Sequence, residues 1–323
     1  MIDTESDRVK VNVLSTEGVT AHVVALTLEP TANTPLPAWQ PGAHIDLELP
    51  SGLVRQYSLC GSPHDEKTYT VAVLREPNGR GGSAEVHDTL TPGTQLTIRG
   101  PRNHFPLVES NRYLFIAGGI GVTPMLPMIE TAERNRADWT LIYGGRTLTS
   151  MAYLDRLLEF GPDRVTPVAE DVSGRPDLGA LLSQIGTDTQ IYCCGPSGLL
   201  DAVEAECSSR GLAGQLHIER FAAPANTVTG PVDGDLPFEV HLQQSGVTVQ
   251  VGADQTILDA LEDTDVEAPF SCEEGFCGAC EVRVLGGVPD HRDSVSPAAD
   301  HDAAKTMIIC VGRSKSPRLV LDL

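Results

Sequence analysis

The chain has 323 residues, of which 41% are hydrophobic, and a formal net charge of −21 at pH 7. That length accommodates two or three separate cores. So acidic a surface repels a phosphate backbone and excludes nucleic acid as a partner, and there is no uninterrupted apolar run of the ~18 residues that a transmembrane helix requires.

The amino terminus, MIDTESDRVKVNV, has neither the apolar segment nor the cleavage site of a signal peptide, so a cytoplasmic protein is expected. The first hundred residues alternate apolar and polar positions in VKVNVLS, HVVALTLEP, HIDLELP, VRQYSLC, YTVAVLRE and TQLTIRG. Turn signals such as Pro41-Gly42, Ser51-Gly52 and Pro92-Gly93 separate them. Six short strands at this spacing predict a closed antiparallel β barrel over 1–106, with one short helix between Ser83 and Leu90.

Two motifs lie in this region. Arg55-Gln56-Tyr57-Ser58 falls on a predicted strand, and GRGGSAEVHDTL is a glycine-rich turn entering the short helix. An arginine together with free N–H groups at a helix N-terminus makes an anion site. An aromatic beside it can lie against a flat ring. The residues point to a flavin; on their own they also fit a strand with a surface arginine and a buried tyrosine.

From 107 to 224 the pattern changes to alternating strand and helix: RYLFIAGG, TPMLPMIETAERN, WTLIYGG, MAYLDRLLEF, VTPVAE, DLGALLSQ, QIYCCG, PSGLLDAVEAECSSR and LHIERF. This predicts a Rossmann-like parallel sheet with helices on both faces. AGGIGVTPML places Gly119, Gly121, Thr123 and Pro124 between a buried strand and a helix. It departs from G-x-G-x-x-G, yet its small residues still let a pyrophosphate reach the helix N-terminus, and proline suits a first turn. Cys194-Gly195-Pro196 falls at the carboxyl end of another parallel strand, where open sheets bind ligands. Arg146 ends the second strand and is a possible partner for a 2′-phosphate, but Glu170 and Asp171, expected at the end of the third strand, would repel one. NADH is therefore expected over NADPH. Cys60, Cys193 and Cys207 read as buried core thiols.

Residues 225–236 are rich in Pro, Gly and Thr and read as a linker. The remaining segment, 237–323, holds 15 Asp/Glu against 6 Lys/Arg, a net of −9 in 87 residues, whereas the preceding 236 residues carry the other −12. This acidic tail is a candidate docking face for a basic partner. It also contains CEEGFCGAC: Cys272, Cys277 and Cys280, followed after a long gap by Cys310. C-x4-C-x2-C with a distant fourth cysteine is plant-type [2Fe–2S] spacing. Small residues at Gly275, Gly278 and Ala279 let the backbone wrap the cluster. Zinc sites pair their ligands in two knuckles, and Cys310 stands alone, nine residues from His301.

Taken together, RQYSL, GRGGS, AGGIGVTPML, YCCGP, the E-R-F ending and the terminal cysteine motif resemble the phthalate dioxygenase reductase family, and DHRD at Asp290–Asp293 and the closing LVLDL fit the same pattern. The resemblance spans the chain. It implies a multidomain α/β plus β protein: a ferredoxin-reductase-like barrel, a Rossmann-like NAD domain and a C-terminal β-grasp ferredoxin domain. It implies FMN, where the residues alone leave FMN and FAD open. Arg55, Gln56, Tyr57 and Ser58 would line the flavin, Ala72, Val73 and Leu74 its ring pocket, and Gly81, Gly82 and Ser83 its phosphate. Cys194 would lie near the nicotinamide and Phe221 would cover the flavin. Ser58, Cys194 and Phe221 are then the residues beside the reacting atoms. The implied activity passes electrons from NADH through FMN and the cluster to a terminal oxygenase of the Rieske type. A cytochrome P450 acceptor and a non-catalytic electron carrier are the rival readings. A monomer is expected.

Overall fold

The computed structural model describes residues 8–32, 35–77, 79–223 and 230–323. The chain divides into two compact units, Met1–Glu219 and Arg220–Leu323.

The first unit opens with six strands: β1 (Arg8–Thr20), β2 (Val23–Pro30), β3 (His44–Glu48), β4 (Val54–Ser58), β5 (Tyr69–Leu74) and β6 (Gln95–Arg102). Their order is β4-β3-β6-β1-β2-β5, every pairing antiparallel. A bridge between Leu59 and Val71 joins the two edges and closes the barrel. Alternation of side chains sends Val11, Leu26, Leu28, Ile45, Leu47 and Ile98 into one interior cluster. Helix α1 (Gly82–Thr89) lies beside β5, and the His87 ring nitrogen Nε2 is 2.9 Å from the Val73 carbonyl.

In the same unit β7 (Arg112–Gly118), β8 (Asp138–Gly145), β9 (Val165–Ala169), β10 (Gln190–Cys194) and β11 (Leu216–Glu219) form a parallel sheet ordered β11-β10-β7-β8-β9. The helices are α2 (Met125–Arg134), α3 (Leu154–Leu158), α4 (Glu170–Ser173), α5 (Leu178–Leu182) and α6 (Ser197–Ser209). Successive residues of β7 point to opposite faces. Phe115 and Ala117 pack with α2 and α3, and Leu114 and Ile116 with α5 and α6. Both faces are thereby covered, and the run RYLFIAG is almost wholly apolar for that reason.

Some local expectations are corrected. Glu170 and Asp171 do not end β9; they open α4, where acidic residues suit a helix N-terminus. β11 stops at Glu219, so Phe221 lies past the strand. MAYLDRLLEF is helical only over Leu154–Leu158. Pro124 is the residue preceding α2 rather than within its first turn, because Gly119–Val122 forms a 3₁₀ turn first. The expected linker, 225–236, lies outside the described residues as far as 229, and 230–236 holds neither helix nor strand.

The second unit is a mixed sheet ordered β13-β12-β18-β14-β16, crossed by one helix. Its elements are β12 (Phe238–Leu242), β13 (Thr248–Val251), α7 (Ile257–Glu262), β14 (Glu281–Gly286), β15 (Pro289–Asp290), α8 (Ala298–Ala304), β16 (Thr306–Ile308), β17 (Arg313–Ser314) and β18 (Arg318–Leu321). β12 runs parallel to β18 and antiparallel to β13. Val240, Ile257, Leu261, Val282, Met307 and Leu319 meet in its core. No helix among the described residues is long and apolar enough to cross a membrane.

Candidate functional site

The barrel brings the two predicted flavin motifs together. Arg55 on β4 donates from Nη2 to the Arg80 carbonyl at 3.0 Å, which places its guanidinium beside the glycine turn. A Cβ at Gly82 would come within 2.5 Å of Arg55 Nε, so only glycine admits the arginine this close. Gly81 precedes α1 with φ 84, a left-handed conformation that glycine adopts without strain. The Glu76 N–H donates to Ser83 Oγ at 3.0 Å and fixes that hydroxyl at the start of α1. A guanidinium, a hydroxyl and the opening N–H groups of an eight-residue helix are a donor set suited to a phosphate.

On β4, Gln56, Tyr57 and Ser58 continue toward the parallel sheet. Tyr57 is partly buried against the barrel core, and burial raises its phenol above the ordinary tyrosine range. On β5 the chain alternates. Val73 faces the barrel interior, while Ala72 and Leu74 pack into the cluster shared with α2 and the parallel sheet. The predicted ring-pocket strand thus presents Ala72 and Leu74 to the junction of barrel and sheet.

Ser58 and Cys194 meet there, through a residue that sequence reasoning missed. Ser58 Oγ donates to Glu219 Oε2 at 3.4 Å, across 161 positions of chain. Glu219 pairs with Cys194 between β11 and β10. Protein atoms crowding the Glu219 carboxyl push it up to about 8, against the lowering hydrogen bond from Ser58. Cys194 is fully buried; desolvation first, then the neighbouring Glu219 charge, push its thiol well above the usual range. It remains a neutral thiol, as expected for a residue that is not a covalent nucleophile. The signal for Glu219 was present in LHIERF as an acidic residue closing the short strand LHIE.

The two glycine loops of the sheet touch at backbone distance. A Cβ at Gly121 would lie 2.3 Å from the Cys194 carbonyl oxygen, and one at Gly195 2.9 Å from the Gly118 backbone. The turns after β7 and β10 therefore form one wall at the carboxyl ends of adjacent strands, where parallel sheets take ligands. Gly119 has φ 54. The Tyr143 hydroxyl lies 3.1 Å from the carbonyls of Gly119 and Ala152 and pins the turn from beneath. Thr123 is buried and donates from Oγ1 to the Ile120 carbonyl at 3.0 Å, closing the 3₁₀ turn before Pro124. Pro196 immediately precedes α6, in an extended conformation with ψ 147. Arg146 is exposed beyond β8, and its carbonyl accepts from the Asp171 N–H at 3.2 Å. This hydrogen bond sets the start of α4 beside the end of β8. Phe221 is 40% exposed and belongs to the second unit.

In the second unit the four cysteines of the motif are all buried. Cys272 interacts with Cys277 and Cys310, and Cys310 with Cys280. The loop is wound through three left-handed residues, Glu273, Gly275 and Gly278, with φ of 60, 72 and 73. This winding turns N–H groups onto sulfur: Glu274 N–H donates to Cys272 Sγ at 3.3 Å and Ala279 N–H to Cys277 Sγ at 3.5 Å. A Cβ at Gly275 would lie 2.6 Å from Val311, so the loop closes directly on the turn after β16 that carries Cys310. Among the described residues no three His, Cys, Asp or Glu side chains gather as tightly as the shell of one ion requires. Four neighbouring thiols, with amide donors aimed at sulfur, fit a two-iron cluster. His301 is turned away to Asp293, 3.0 Å from its Nε2.

Comparison with known proteins agrees with this geometry. Residues 240–315 match the 2Fe-2S iron-sulfur cluster binding domain and residues 115–205 the oxidoreductase NAD-binding domain. The chain is 43% identical to phenoxybenzoate dioxygenase subunit beta of Ectopseudomonas oleovorans over 93% of each chain. The solved structure of phthalate dioxygenase reductase is 31% identical, with TM-score 0.72 over 99% of both chains. An intact type IV self-sufficient cytochrome P450 monooxygenase is 41% identical, with TM-score 0.88, over 98% of this chain and 41% of that one. Similarity of this extent, together with a donor set for each of FMN, NADH and a [2Fe–2S] cluster, places the chain in the phthalate dioxygenase reductase family, the NADH-dependent iron–sulfur flavoprotein reductases that serve oxygenases.

Proposed function

We propose that this reductase works in the cytoplasm and delivers its electrons to a separate Rieske-type oxygenase acting on an aromatic compound. Bound FMN would supply the conversion between the electron pair carried by NADH and the single electrons that a [2Fe–2S] cluster accepts. The residues of this chain bind and orient. Arg55, Gly81, Gly82 and Ser83 hold the flavin phosphate, and Gln56, Tyr57, Ser58 and Ala72 to Leu74 border its ring. Gly119, Gly121, Thr123, Pro124, Gly195 and Pro196 seat the dinucleotide, with Arg146 at its outer end. Ser58, Glu219 and Cys194 frame the place where the two rings meet. Cys272, Cys277, Cys280 and Cys310 hold the cluster. In this reading residues 1–106, 107–224 and 237–323 are the flavin, dinucleotide and ferredoxin domains.

The observation that carries the acceptor is the similarity to a dioxygenase subunit along nearly the whole chain. The comparable identity to a self-sufficient P450 favours a second reading, in which the acceptor is a haem protein. Exposed Glu273 in the cysteine loop points to an acidic face that docks a basic partner in either case. NADH-reduced protein mixed with a purified Rieske oxygenase, and separately with a P450 haem domain, distinguishes the two by the rate of cluster reoxidation. Glu273→Lys is expected to slow that step and weaken its dependence on salt while leaving flavin reduction by NADH unchanged. Equal rates for the variant and the parent protein would remove Glu273 from the docking face.

A further inference from the structure

The DHRD segment supplies none of the four motif cysteines, yet its side chains fan out in two directions. Asp290 and Arg292 turn one way. Arg292 grips Asp235 with both terminal nitrogens, Nη1 to Oδ2 at 2.8 Å and Nη2 to Oδ1 at 2.6 Å, while its Nε donates to Asp290 at 2.8 Å. His291 and Asp293 turn the other way. The His291 ring stacks on His301 at 5.1 Å, and Asp293 accepts from His301 Nε2 at 3.0 Å. The next residue, Ser294, donates its N–H to the Gly275 carbonyl at 2.8 Å, within the cysteine loop. Five consecutive residues, Asp290 to Ser294, therefore connect Asp235 to the loop carrying Cys272, Cys277 and Cys280.

A second, independent connection reaches the same carboxylate. Arg313, three residues past Cys310, places Nε 3.2 Å from Asp235 Oδ2. Its guanidinium is buried against the Phe238 ring and donates to the carbonyls of Leu236, Gly252 and Gln255. Asp235 also accepts from the Val232 N–H at 2.9 Å, which folds the strand-free segment onto itself. Both halves of the cysteine cage are thus tied to one carboxylate, and that carboxylate lies in the segment leading from the first unit into the β12 strand.

We propose that Asp235 is a positioning residue, fixing the connecting segment to the cluster cage so that passage of electrons from flavin to cluster depends on it and reduction of the flavin does not. The inference rests on the reductase reading above. Two guanidiniums flank Asp235, and the bidentate Arg292 contact holds its carboxyl down to about 2. It therefore stays charged, and the anchor stays closed, throughout the physiological range. With the anchor released, residues 230–236 are no longer held to the cysteine cage and gain conformational freedom.

The test uses the holoprotein with NADH in anaerobic stopped flow, reading flavin and cluster absorbance separately in the parent protein and in Asp235→Asn and Asp235→Glu. In Asp235→Asn, flavin reduction is expected to stay within about twofold, and cluster reduction to slow by about tenfold or more and to become sensitive to solvent viscosity. Asp235→Glu, which keeps the charge, is expected to recover part of the rate. The cluster's EPR spectrum serves as the check that the cage is intact. Unchanged cluster reduction in Asp235→Asn would overturn the proposal. So would loss of the EPR signal in both variants, because Asp235 would then build the cage and not position it. Failure of NADH to reduce the flavin of the parent protein would instead count against the reductase reading itself.

Discussion

Glu219 ends β11 with the Ser58 hydroxyl 3.4 Å from its carboxyl and Cys194 on the neighbouring strand. Because crowding holds this carboxyl near 8, it is protonated at neutral pH and charged above that value. The rate of flavin reduction by NADH is expected to show one ionisation near 8, and Glu219→Gln to flatten the profile between about 7 and 9. An inflection that persists in the variant would assign it elsewhere. The sequence announces Ser58 and Cys194 through motifs, but the pairing of Ser58 with Glu219 spans 161 positions. Strand periodicity tells which residues face inward, not which of them meet across two sheets. Asp235 was hidden for the same reason: in VDGDL it looks like a solvated turn, and its two arginines come from 57 and 78 positions further on.

At the scale of elements, the wall made by the turns after β7 and β10 depends on bare backbone. Gly121→Ala would force a methyl to within 2.3 Å of the Cys194 carbonyl, with no flexible side chain to yield. Overpacking of this kind costs about 1–3 kcal/mol of unfolding free energy. The variant is expected to melt at lower temperature and to show a raised KM for NADH, since the two loops must separate to admit the methyl. A variant with parental stability and parental KM would show that the loops are not jointly required. The strands were legible because apolar alternation in the barrel and continuous apolar runs in the parallel sheet follow directly from one-sided and two-sided burial. Short helices were less so. PAADHDAAK has little apolar periodicity, and α8 forms there around the single buried His301. Glu170 and Asp171 read as a strand end although their charge suits the first turn of α4.

Over the whole molecule, three cofactor chemistries are arranged along one chain: an anion cradle on the barrel, a glycine wall on the parallel sheet, and a thiol cage in the second unit. The cysteine spacing identified the cage from sequence, because iron–sulfur ligation requires a fixed number of residues between thiols. The segment before β12 was legible only as a composition change, since an ion-pair anchor within the second unit leaves no periodic trace. The account's central claim is that electrons taken from NADH by the flavin reach the cluster within the same chain. Anaerobic titration of the FMN- and cluster-loaded protein with NADH, followed by visible absorbance and EPR, tests it most directly. The account predicts loss of oxidised-flavin absorbance together with appearance of the reduced-cluster EPR signal. Flavin reduction with a cluster that stays oxidised, or no reduction of either, would contradict it.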